Sequence, residues 1–137
     1  EKKSFFNIST SPLAVMKAQR ELKKNPKKTI ELIEKILENE PYNQQANMLL
    51  KDAAAAGGYP EIAIYAMETL HENEPKDVKV LHELGRLYHR YERSDKAVEV
   101  YNRITEVNPI DLEAGKLGKD ASARAPRKTG GRNTAER

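Results

Sequence analysis

Residues 78–111, VKVLHELGRLYHRYERSDKAVEVYNRITEVNPID, decide the fold. Leu81, Leu84 and Tyr88 follow the spacing of one helix face, and Ala97, Val100, Tyr101 and Ile104 follow the spacing of another. Apolar residues at i, i+3, i+4 and i+7 share one side of an α-helix, so each set predicts a helix with one buried stripe. Ser94 and Asp95 mark the start of the second helix, and Pro109 ends it, because proline disfavours helical geometry in the residue before it. The stretch is a predicted helix pair.

The pair recurs. Pro41, Pro75 and Pro109 stand 34 residues apart, and the same step aligns Thr29 with Ala63 and Ala97, Leu32 with Ala66 and Val100, Ile33 with Met67 and Tyr101, and Ile36 with Leu70 and Ile104. A fixed period of this size is the mark of a repeat architecture. A first helix precedes each of these, with predicted stripes Leu13–Met16–Arg20, Asn47–Leu50–Ala54 and Leu81–Leu84–Tyr88, the first two looser than the third. Ser9, Asn43, Asp77 and Asp111 keep the same interval and are predicted helix caps, since their short side chains accept from a free backbone N–H. Pro26 and Pro60 suit the first turn of the second helices.

The predicted organisation is an extension at 1–9, repeat units at 10–43, 44–77 and 78–111, a capping helix at 112–123 weakened by Gly115 and Gly118, and a basic tail at 124–137 expected to be disordered. Phe5, Phe6 and Ile8 are expected to cover the apolar edge of the first unit. Gly57 and Gly58 predict a helix-ending turn. Because it opens on Glu1 rather than Met, the sequence is expected to be a piece of something longer.

Composition narrows the function classes. With no cysteine among 137 residues, thiolate metal sites, disulfides and cysteine nucleophiles drop out together. No HExxH, GxSxG or phosphate-loop motif is present, and the histidines are only His71, His82 and His89. Neither enzyme chemistry, a metal nor a cofactor is expected. No apolar run is long enough to span a bilayer. The net charge of +3 is uneven: residues 10–111 hold 15 Lys and Arg against 17 Asp and Glu, while 121–137 hold 5 against 1.

Leu84, Gly85, Tyr88, Ala97, Tyr101, Ile104 and Pro109 together resemble the tetratricopeptide repeat, over residues 10–111 and the cap. The resemblance implies an all-α, right-handed α-solenoid of three antiparallel helix pairs with a C-terminal capping helix. It also implies that the first helices line a concave groove holding a partner peptide or helix. Carried over position by position, that lining is Ala14, Ala18, Glu21, Gln45, Met48, Asp52, Ala55, Lys79, His82, Glu83, Arg86 and His89. Of the carboxylate clamp used by chaperone-binding members only Lys79 is kept, with Ala14, Ala18, Leu49 and Glu83 at the other places, so a heat-shock chaperone tail is not the expected ligand.

Lys79, His82, Arg86 and His89, with Arg90 beside them, are predicted to lie on one face of the first helix of the third unit. They would grip an acidic protein or peptide, Arg through bidentate bonds to carboxylates and the histidines with sensitivity near neutral pH. Met48 and Asp52 are the further predicted groove contacts. A solvated face balanced by Glu83 and Glu92 is the plainer reading of the same stripe. An alternative function is association with nucleic acid or another anion through Arg124, Arg127, Lys128, Arg132 and Arg137 of the tail, driven by counterion release; with no aromatic for base stacking there, nucleic acid is not the expected partner.

Overall fold

A computed structural model describes residues 2–125, with side chains from residue 12 onward. The described residues form seven helices and no strand: α1 (Lys2–Glu21), α2 (Pro26–Asn39), α3 (Gln44–Gly57), α4 (Pro60–Asn73), α5 (Val78–Arg90), α6 (Ser94–Val107) and α7 (Leu112–Arg124). They belong to two compact bodies, residues 1–75 and 76–137. In the first, α1 packs on α2, α2 on α3 and α3 on α4; in the second, α5 packs on α6 and α6 on α7. This is an all-α helical-repeat fold.

Local chemistry sets the helix ends at the repeat interval. Asn43 accepts from the Ala46 N–H at 2.8 Å, Asp77 from Lys79 and Val80 at 3.0 and 3.3 Å, and Asp111 from Ala114 at 2.9 Å. Each supplies an acceptor to a backbone donor that the helix itself cannot satisfy. Asn25 does the same for Lys28 at 3.1 Å, with Pro26 following it. At the other ends, Glu40, Glu74 and Asn108 leave the helix with nearly one geometry, φ −133, −133 and −136°. Each is followed by proline, and each returns its N–H to the carbonyl of Ile36, Leu70 or Ile104. The α3–α4 corner turns on Gly58 at φ 84°, and the matching position of the next corner, 34 residues on, is Glu92 at φ 61°.

The second-helix stripes are the core. Thr29, Ala63, Ala97, Ile33, Met67 and Ile104 are fully enclosed, and each large apolar side chain contributes roughly 1.5–3 kcal/mol by leaving water. Leu32 is only half-buried. In the first helices, Asn47, Leu50 and Ala54 are buried, as are Leu81, Leu84 and Tyr88. Asn47 is tolerated inside because its amide donates to the Pro41 and Asn43 carbonyls, both at 3.0 Å.

The first helix departs from its predicted stripe. Leu13 and Met16 are 70% and 51% exposed and Arg20 is exposed, whereas Val15 and Ala18 are buried on nearly the opposite side. The predicted face also carries Lys17 and Arg20, whose charges resist burial without partners. The face with Val15, Ala18 and Leu22 turns inward instead. There the Thr29 hydroxyl reaches the Ala18 carbonyl at 3.3 Å, tying α1 to α2. Helix α1 also begins at Lys2, so Ser9 lies inside it rather than at its start. No glycine separates the two stretches, and Pro12 is carried within the helix. The side chains of Phe5, Phe6 and Ile8 and the tail from residue 126 lie outside the described residues, as do the readings made for them.

Candidate interaction surface

Helix α5 presents two unlike sides. Val80, Leu81, Leu84, Gly85, Leu87 and Tyr88 are buried, while Lys79, Arg86 and Arg90 are exposed. The exposed three follow spacings of seven and four, which place them on one side of a helix. Arg86 reaches Glu83 at 3.2 Å, a pair one turn apart at the surface, where such pairing is weak and readily exchanged. His89 is half-buried.

His82, predicted to face a ligand, is occupied inside the fold. Its Nε2–H donates to Asp111 Oδ2 at 2.8 Å, and both side chains are nearly covered. Asp111 Oδ1 caps α7, so one carboxylate joins the middle of α5 to the start of α7. The His82 hydrogen bond, followed by that from Ala114, holds the Asp111 carboxyl below its ordinary pKa of 3.8. His82 Nδ1 is buried and makes no hydrogen bond. The ring also meets Tyr101 edge-on, centroids 6.3 Å apart. Burial raises the Tyr101 hydroxyl above its ordinary pKa, with Arg86 opposing.

Those commitments bear on metal binding too. Among the described residues, His82, Asp111 and Glu113 are the one trio of His, Asp or Glu with ligand atoms within 4.8 Å of one another. The bonds just described already use the facing atoms of His82 and Asp111 to dock α7.

Met48 and Asp52 belong to α3, in the first body. Met48 is half-buried, and Asp52 is exposed with its carboxylate 3.2 Å from Lys51 Nζ. Of the alanines predicted to line the groove, Ala18 is fully buried against α2, and Ala14 and Ala55 are half-buried. Ala18 is therefore a packing residue.

Two features of the first body were not read from the sequence. Lys17, Arg20, Lys23, Lys24, Lys27 and Lys28 are all exposed around the α1–α2 corner, whereas residues 38–75 hold seven Asp and Glu against one Lys. A sum over residues 10–111 cancels these opposite ends. An open cavity of about 570 Å³ is lined by Pro41, Tyr42, Tyr65, Glu68, Thr69, His71, Glu72 and Pro75. It draws on the α2–α3 corner, α4 and the residues after α4, so no single periodic stripe announces it.

Helix pairs repeating every 34 residues, with Gly85 of α5 leaving room for the Tyr101 ring of α6, are the tetratricopeptide-repeat fold. By sequence the chain matches no family model and no curated protein. By structure it is similar to the first TPR of Spaghetti (RPAP3) bound to the HSP90 peptide SRMEEVD, with TM-score 0.66 and 16% identity, over 84% of this chain and 94% of that one. It is also similar to the MamA D159K mutant 1, with TM-score 0.62 and 17% identity, over 81% of this chain and 65% of that one. At such identities the likeness establishes the fold.

Proposed function

We propose that this chain is a non-catalytic protein-interaction scaffold whose first helices dock a partner peptide or helix, with α5 gripping an acidic segment. The observation that carries the reading is the row Lys79, Arg86 and Arg90, exposed along one side of a helix whose other side is anchored in the core. A rigid helix presenting cations at fixed spacing loses little freedom when carboxylates arrive, and arginine can meet them through two parallel bonds. One structural neighbour is bound to the HSP90 peptide SRMEEVD, which has three acidic side chains. That supports peptide docking as the use of the fold. Since this chain keeps Lys79 alone from the chaperone clamp, the acidic partner proposed is a different one.

The test is capture of partners by the full chain compared with a Lys79→Glu, Arg86→Glu, Arg90→Glu variant. The reading expects the reversal to remove the captured proteins while deletion of residues 126–137 leaves them bound. Capture that survives the reversal refutes it, and capture lost only with the tail, falling steeply with salt, would favour anion association.

A further inference from the structure

The acidic cavity of the first body has the chemistry of a peptide site distinct from α5. We propose that it docks a basic, proline-containing segment of a partner protein in the extended polyproline II conformation. Its apolar surfaces are Tyr42 and Tyr65, 47% and 65% exposed, with Pro41 and Pro75 completing the walls. Exposed tyrosines offer flat rings at small cost in side-chain freedom, and aromatic-lined grooves take polyproline II segments because those segments arrive already ordered. Glu68 and Glu72 lie on the same stripe of α4 as Tyr65, both exposed. They stand one helical turn apart, roughly 6 Å along the axis, within reach of arginines flanking a proline.

The charge distribution selects this occupant. Two carboxylates, Glu68 and Glu72, and no Lys or Arg line the cavity, so its charge favours a cationic segment over nucleic acid, anionic lipid or an acidic peptide. Exposed tyrosine faces then favour a proline-bearing segment over other basic chains, because proline packs on a flat ring and arrives already ordered.

Fluorescence anisotropy of the full chain with a short labelled peptide of alternating Arg and Pro tests the proposal. Saturable binding is expected, weakened about tenfold or more by Tyr42→Ala with Tyr65→Ala, as for loss of aromatic anchors. Glu68→Gln with Glu72→Gln should weaken binding and flatten its dependence on salt. Reversing Lys79, Arg86 and Arg90 should not weaken this binding, which separates it from docking on α5. All four substituted side chains are at least partly in solvent, and an unchanged circular dichroism spectrum and melting curve establishes that the variants fold. Equal binding of a peptide with glycine in place of proline would overturn the proposal, as would tyrosine variants that bind like the parent or no binding at all.

Discussion

A Cβ added to Gly85 would stand 2.7 Å from Tyr101 Cζ, closer than real Cβ atoms approach, with Cε1 and the hydroxyl at 2.9 and 3.0 Å. The buried ring of α6 thus occupies the space left by a missing side chain on α5. Gly85→Ala should lose roughly 1–3 kcal/mol to overpacking, against a helix-propensity gain of about 1 kcal/mol. The net destabilisation should shrink when Tyr101 is replaced by leucine, measured as a double-mutant cycle in urea. Equal cost in both backgrounds would mean that the ring is not the obstacle.

Asn47 stands where the repeat pattern favours a large apolar side chain, and leucine there looks like an improvement. The structure predicts the opposite. Both amide hydrogens are used, on Pro41 and Asn43, in a site only 1% exposed. Asn47→Leu and Asn47→Ala should each destabilise by about 1–3 kcal/mol through the loss of these donors, visible as a lower denaturant midpoint with an unchanged slope. A gain in stability with leucine would contradict the assignment.

Glu92 adopts the left-handed conformation that glycine supplies at the matching corner, Gly58. A side chain in that region costs about 1–2 kcal/mol, partly offset by the greater freedom glycine gains on unfolding. Glu92→Gly should therefore raise stability by a few tenths to about 1 kcal/mol, and Gly58→Ala should lower it. Thermal melts of the two variants check both signs.

The bond from His82 to Asp111 makes the second body sensitive to acid. Because the Asp111 carboxyl is held below 3.8 in the fold, the unfolded chain takes up the proton first. The stabilisation is present above that value and is lost as pH falls through the folded pKa. Asp111→Asn keeps a capping oxygen but no titrating group. The stability difference between parent and variant should narrow as pH falls from neutrality to about 3. A difference independent of pH would show that the carboxylate contributes as a cap alone.

The 34-residue period, the caps Asn43, Asp77 and Asp111, and the helix-ending prolines were legible because each acts through neighbours along the chain. Local hydrogen bonds and the exclusion of helical geometry before proline operate whatever the rest of the molecule does. The buried set Ile33, Met67 and Ile104 was legible for a related reason: a helix with one apolar side has one way to leave water. The exposed cations of α5 follow from the same periodicity.

Tertiary packing decided the rest. The choice between two candidate faces of α1 turned on which one could enter the core without burying Lys17 and Arg20, a comparison that needs α2 in place. His82 became a brace for α7 because Asp111, 29 residues away, meets its ring. The Tyr42–Tyr65 cavity exists because the α2–α3 corner and α4 fold together. In a repeat protein the sequence by itself determines the unit and its period, since those rest on short-range sterics and hydrophobic spacing. Which polar side chain is consumed by the fold and which is left at the surface depends on distances between residues far apart in the chain, and only the packed structure sets those.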